Sequence, residues 1–186
     1  MRLRSIGRAI RTVFALGSGL LIVAVCHADA AQQPGRTPEV QRLGYYVGAW
    51  RGEGQTRGGP LGPAGRLSST MTCEWFAGGF QIVCRGEETG PTGTRQFLNI
   101  RAYDQAARSY TEYSISSFGE TEYNTGGSMA GNTRTFVTPI DANGRRVQIR
   151  YFEELVSPTR FTYRAEASVD GGAWQLIAEG AIRRVQ

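Results

Sequence analysis

The stretch Met71-Thr-Cys-Glu-Trp-Phe-Ala-Gly-Gly-Phe-Gln-Ile-Val-Cys84 sets the reading of the fold. Two adjacent glycines between runs of alternating apolar and polar residues are the signature of a tight antiparallel hairpin. A two-residue Gly78-Gly79 loop pairs Ala77 with Phe80, and stepping outward sets Trp75 opposite Ile82 and Cys73 opposite Cys84. A four-residue loop keeps the same partners. Directly opposed residues lie within the Cα separation that a disulfide tolerates. The register therefore predicts a Cys73–Cys84 disulfide between neighbouring strands, on the same face as Met71 and Trp75. Such a pair reads as a structural staple, because a redox role calls for an exposed, low-pKa thiol. Its short loop places the stabilisation toward the low end of roughly 2–4 kcal/mol.

The same period-two pattern continues in both directions. Arg66–Ala77 and Phe80–Thr89 form the hairpin itself; Thr94–Tyr103, Arg108–Ser117, Arg134–Ile140, Arg145–Leu155, Thr159–Val169 and Ala173–Arg184 repeat it. The expected inward faces carry Leu98 and Ile100; Tyr113 and Ile115; Val147, Ile149 and Tyr151; Phe161, Tyr163 and Ala165; and Trp174, Leu176 and Ile182. Turn signals fall between the runs: Gly90–Gly93, Asp104–Arg108, Asp141–Gly144, Ser157-Pro158 and Asp170–Gly172. About nine or ten strands with short connections argue an all-β, antiparallel up-and-down arrangement, and closure into a barrel removes its exposed edges. A two-sheet sandwich is the competing fold; hairpin-by-hairpin order favours the barrel. Residues 119–132 read either as a glycine-bent strand or as a loop over the barrel mouth. A short helix is expected over Pro38–Tyr46, with Thr37 as N-cap and Pro38 at the first helical position.

Residues 1–30 read as a secretory signal peptide: Arg2, Arg4, Arg8 and Arg11, an apolar run Val13–Val25, and an Ala28-Asp-Ala30 cleavage site. Residues 31–37 then form a flexible leader and residues 38–186 a single domain, exported to the periplasm or beyond. The apolar run falls short of the roughly 20 residues of a membrane-spanning helix. Removal of the signal takes the net charge from +5 down to 17 Arg against 15 acidic residues, so nucleic-acid binding loses its main support. It also removes His27, the one His in the sequence. His-based triads, His-metal sites and His-ligated haem are thereby excluded from the mature chain. With no His and both remaining thiols paired, no metal or other cofactor is expected.

Upstream of the hairpin stands Leu43-Gly-Tyr-Tyr-Val-Gly48-Ala-Trp50-Arg-Gly52-Glu-Gly54. This Gly-x-Trp entry into a first strand resembles the opening of calycin-type barrels: lipocalins, fatty-acid-binding proteins and nitrobindin-like proteins. The chain more closely resembles an uncharacterised bacterial family, number fifteen seventy-nine among the domains of unknown function. The resemblance runs through Gly48–Gly52, Trp75–Gly79, Tyr103-Asp104, Tyr110 and the terminal Arg183-Arg184. It implies that Trp50 closes the barrel floor with Arg183 or Arg184 laid across its ring, and that Gly48 admits close backbone approach. Cation–π attraction of this kind is worth about 0.5–2 kcal/mol. Nitrobindin-like proteins hold haem through a His; the mature chain has none, so that chemistry is not carried over.

Three functions are compatible with such a barrel. The first is an exported binding protein for a small hydrophobic or aromatic molecule, with Trp75, Tyr113, Tyr151, Tyr163 and Trp174 as the ligand-binding aromatics. Apolar rings with polar tips suit a small-molecule pocket. The second is a non-metal enzyme of isomerase or cyclase type using Glu120, Glu122 and Tyr123, or Glu153 and Glu154, with Arg. The third is an envelope protein with a filled barrel that works through outward aromatics, here Phe76, Phe97, Tyr103 and Phe152.

Overall fold

The structure is a computed structural model that describes residues 35–59, 62–142 and 144–185. The expected signal peptide and most of the expected leader lie outside the described residues. Thr37 caps a short helix α1 (Pro38–Arg42), its side chain accepting from the Val40 amide, and a 3-10 turn, Leu43–Tyr46, follows directly. Ten strands come next: β1 (Gly48–Gly59), β2 (Gly62–Trp75), β3 (Gln81–Gly90), β4 (Gly93–Asp104), β5 (Ser109–Ser116), β6 (Thr121–Ala130), β7 (Thr133–Ala142), β8 (Arg145–Ser157), β9 (Arg160–Val169) and β10 (Gln175–Arg184). Each pairs antiparallel with the next, and β10 pairs with β1, so the sheet closes into an up-and-down barrel. No helix among the described residues is long and apolar enough to cross a membrane.

The opening hairpin has the expected register. Trp75 pairs with Ile82 and Cys73 with Cys84, whose Cα atoms lie 4.0 Å apart and whose sulfurs sit at bonding distance. Gly78 and Gly79 both have positive φ, at 86° and 74°, which non-Gly residues rarely adopt. Of the two readings of residues 119–132, the bent strand is found: β6 shifts register against β5 between Tyr110 and Glu112, with Gly126 at φ 73°.

The helical segment plugs one end of the barrel. Val40, Leu43 and Tyr46 are fully buried. Trp50, 1 % exposed, meets Phe161 edge-on with centroids 5.3 Å apart and donates from Nε1 to the Tyr46 carbonyl at 2.6 Å. Trp50 pairs directly with Arg184 across the closing seam, and the Arg184 guanidinium lies 4.4 Å from the Trp50 ring centroid. The same guanidinium donates to the carbonyls of Val47 and, at 2.7 Å, Tyr45. Gly48 sits at φ 123°, and a Cβ there would fall 2.4 Å from Arg184 Nη1. Arg183 alternates to the outer face, opposite Arg51.

The facing of β4 and β5 is the reverse of the expected one. Cys84 is inside the barrel and pairs with Asn99, so Asn99, Arg101, Phe97 and Tyr103 point inward while Leu98 and Ile100 point out. Pairing of Arg101 with Glu112 then carries Tyr110, Glu112 and Ser114 inward and leaves Tyr113 and Ile115 outside. The rule that apolar residues face inward fails here because the interior charges are paired, which lowers the cost of burying them. Phe97 and Tyr103, expected outside, are inward; Phe76 and Phe152 are outward. On the outer face Tyr113 is 38 % and Tyr123 64 % exposed, with centroids 6.3 Å apart.

The Trp50–Arg184 contact generates a stability prediction. Trp50→Ala should cost about 3–5 kcal/mol in chemical denaturation, the range for emptying a large aromatic site. Arg184→Ala should cost less, because the Trp50–Phe161 packing survives it. An unchanged midpoint for Trp50→Ala would contradict this assignment.

Candidate ligand site in the barrel lumen

The interior divides into a charged floor and an accessible upper chamber. Two cross-strand pairs supply the floor: Arg101 opposite Glu112 on β4 and β5, and Arg134 opposite Glu153 on β7 and β8. They meet across the barrel. Arg101 Nη2 donates to Glu153 Oε1 at 3.0 Å, and Arg134 Nη1 to Glu153 Oε2 at 2.9 Å. Arg134 Nη2 also donates to Glu112 Oε2 at 2.9 Å. Arg101 Nε approaches Glu112 Oε2 at 2.8 Å without hydrogen-bond alignment. From the plug, Tyr46 Oη donates to Glu153 Oε2 at 2.6 Å, and the Arg101 guanidinium lies 4.5 Å from the Tyr46 ring centroid.

Two positive and two negative charges cancel in this cluster. Glu153 is 1 % exposed, and burial alone would favour its neutral form. The Arg101 and Arg134 guanidiniums outweigh that and hold its pKa well below the usual carboxylate range. Burial likewise disfavours the charged form of Arg101, and Glu112 and Glu153 reverse the effect. Burial, reinforced by Glu153, pushes the Tyr46 hydroxyl up, so it remains a donor.

Above the floor, large rings occupy the places of absent side chains. Tyr163 lies over Gly54 and Gly180, where an added Cβ would come 2.3 Å from Tyr163 Oη and 2.7 Å from its ring. Phe97 covers Gly86 and Phe136 covers Gly127 in the same way. These rings lie close against the barrel wall. Tyr151, Tyr163, Asn99, Ser114, Phe97 and Leu67 point inward yet stay partly accessible. Tyr151 and Tyr163 stack, with centroids 6.0 Å apart and planes 15° apart. Burial raises both phenol pKa values, that of Tyr163 to about 12, with Glu153 adding to the effect at Tyr151 and Glu88 at Tyr163. At the open end Arg95 binds Glu88 at 3.0 Å and Glu120 at 2.8 Å, tying the β5–β6 turn to β4. A concavity of about 1180 Å³ is lined by outward residues, among them Glu53, Gln55, Ser68, Thr162, Arg164 and Glu179, and also by Gly54, Leu67, Tyr163 and Gly180 of the inward rows. Tyr163 and Leu67 thus belong both to this concavity and to the lumen, where Tyr163 meets Tyr151.

Of the five expected ligand-binding aromatics, Tyr151 and Tyr163 share the lumen. Trp75 belongs to the plug, with Gly44 against its ring edge and the Arg36 guanidinium 4.7 Å from its ring centroid. Tyr113 lies outside, for the register reason given above. Trp174 precedes β10 on the outer face, 4.3 Å from the outward Arg150 guanidinium. Adjacent strand residues face opposite ways, which separates Glu153 from Glu154 and Glu122 from Tyr123, while Glu122, on the inward row opposite Ser114, has its pKa raised by burial and by its neighbours Glu112 and Glu120. Glu153 is locked in the floor while Glu154 is exposed, and Tyr123 stands outside the barrel while Glu120 is bound to Arg95. Sequence reasoning missed Arg101, Glu112 and Arg134. A signal for them existed: extending the hairpin register from Cys84 across the Gly90–Gly93 turn turns Asn99 and Arg101 inward.

Glu153 links the floor to pH. Its folded pKa is depressed, so its stabilisation is present above the unfolded value near 4.3 and is lost as pH falls below that. Glu153→Gln should cost about 3–5 kcal/mol at neutral pH, because it leaves buried guanidiniums uncompensated. The variant should also lose stability less steeply than the parent on acidification below about pH 4. Denaturation midpoints across an acid pH series check both points.

Residues 36–184 match the family model described as "Protein of unknown function (DUF1579)". Rv2717c from M. tuberculosis superposes with a TM-score of 0.60 at 11 % identity, over 82 % of this chain and 100 % of that one. The S-type phycobiliprotein lyase CPES from Guillardia theta superposes with a TM-score of 0.52 at 12 % identity, over 81 % of this chain and 94 % of that one. Both likenesses are of fold. No curated protein matches the sequence. The family match spans the barrel from its plug to its closing strand, and the chain belongs to the DUF1579 family.

Proposed function

We propose that this protein is an exported binding protein that holds a small apolar or aromatic molecule in its barrel lumen. One observation carries the reading: two stacked phenol rings, Tyr151 and Tyr163, line an accessible chamber above a charge-neutral floor. Apolar walls with a few convergent polar groups are the usual composition of a small-molecule site. The phycobiliprotein lyase named above is a barrel of the same fold put to use as a lyase, and its likeness is compatible with a lumen that has a task. Export rests on the signal-peptide pattern of residues 1–30 and agrees with a Cys73–Cys84 disulfide, which an oxidising compartment maintains.

Titration of the mature protein with a hydrophobic fluorescent dye tests the site. Saturable binding is expected at micromolar protein, weakened about tenfold or more (about 1.4 kcal/mol) by Tyr151→Ala or Tyr163→Ala. Tyr113→Ala and Trp174→Ala, on the outer face, should leave it unchanged. Equal losses at all four positions, or no saturation, would refute lumenal binding. Intact mass measurement of the exported protein tests the compartment, with a chain beginning at Ala31 and lacking two hydrogens for the disulfide as the expected result.

A further inference from the structure

The lumen's unused hydrogen-bonding groups narrow the class of its ligand, an inference that rests on the binding role just proposed. Every arginine that points into the barrel among the described residues is already committed. Arg101 and Arg134 serve Glu112 and Glu153, Arg95 serves Glu88 and Glu120, and Arg184 serves the carbonyls of Tyr45 and Val47. No cation is left over to meet an anionic ligand. Toward the open end the Glu88 charge is met by Arg95, and Glu122 on the inward row would repel an anion further.

The Nε groups of Arg101 and Arg134 also lack a hydrogen-bond partner but are sealed inside the floor, so the accessible groups left over are neutral donors. Neither the Tyr151 nor the Tyr163 hydroxyl has a hydrogen-bond partner among the described residues, while Tyr46 and Tyr45 both do. The two free hydroxyls sit at different depths. The Tyr151 phenol feels Glu153 and Arg101 of the floor, and the Tyr163 phenol feels Glu88 on β3. Asn99 adds a third donor: its Oδ1 accepts from Ser114 Oγ at 2.8 Å, which leaves its amide nitrogen unengaged. Asn124 offers nothing comparable, since its Oδ1 accepts from Thr138 and its amide faces Glu122. A buried donor left unmatched is costly, so a ligand that fills this chamber must bring acceptors to it.

We infer that the lumen takes an uncharged, planar aromatic molecule carrying two or more carbonyl-type acceptor oxygens. The flat ring lies against the Tyr151–Tyr163 stack, and the oxygens accept from the two phenols and the Asn99 amide. An aromatic hydrocarbon fits the walls and leaves the donors unmatched. An aromatic carboxylate matches the donors and meets no free cation.

Three probes of one ring size separate these cases: naphthoquinone, naphthalene and naphthoate, each competed against a bound hydrophobic dye. Naphthoquinone is expected to displace the dye at least tenfold more tightly than either of the others. Tyr151→Phe and Tyr163→Phe keep the rings and remove the hydroxyls, and each should reduce that preference severalfold; Tyr113→Phe, outside the barrel, should not. Naphthalene or naphthoate binding as tightly as naphthoquinone would overturn the inferred ligand class while leaving lumenal binding intact, as would Phe variants with the parent's preference. Saturable dye binding with displacement by none of the three would overturn it equally. Failure of the dye itself to bind would remove both the inferred class and the binding role beneath it.

Discussion

The barrel depends on the contact between Trp50 at the start of the first strand and Arg184 at the end of the last. These residues are direct partners across the seam that closes the sheet. One guanidinium stacks on the indole and satisfies two carbonyls of the plug, so strand closure and plug docking are a single event. Gly48 is bare because Arg184 occupies the space of its Cβ. The linkage continues inward. Trp50 bonds to the Tyr46 carbonyl, and the Tyr46 hydroxyl reaches Glu153 in the floor cluster. A sheet left open would expose two long edges, so this seam also removes the main aggregation hazard of the fold.

The second organising feature is the pairing of interior glycines with large rings. A ten-stranded barrel filled from all sides by Tyr, Phe and Leu would have a solid core. Here Tyr163, Phe97 and Phe136 each lie over a glycine of a neighbouring strand. The chain gives up strand propensity at Gly54, Gly86, Gly127 and Gly180, and the rings lie against the wall instead of meeting at the centre. The floor, with two arginines and two glutamates, closes the chamber below without leaving a net charge. The plugged, polar, charge-balanced base and the aromatic chamber above it are therefore one design, in which burial of the charges depends on their pairing and the chamber depends on the glycines.

Much of this architecture is legible in the sequence because local chemistry and global fold agree. The Gly78-Gly79 hairpin, the Thr37-Pro38 helix start and the turn spacing each demand one structure, and the resemblance of the Gly48-Ala-Trp50 entry places Arg184. The interior was harder to read. Alternation alone says which residues share a face, not which face is inside, and β4 and β5 carry apolar residues on both. Leu98, Ile100, Tyr113 and Ile115 look like core, while Arg101 and Glu112 look like surface. Their placement is reversed because each charge meets its opposite across the ladder. Trp174 misled for a different reason: a β-bulge between Leu176 and Ala178 breaks the period that would have carried its face along β10. Tyr151 and Tyr163 were legible because Phe161 and Val147 on the same faces are unambiguous core.

The claim on which the functional account rests is that the chamber above the charged floor is hollow and holds a molecule. Native mass spectrometry of the protein purified from its own compartment addresses this directly. The account predicts a discrete excess mass of small-molecule size that is lost on denaturation and absent from Tyr151→Ala. A bare polypeptide mass, with no small molecule retained from the cell and none acquired on incubation with aromatic ligands, would contradict it.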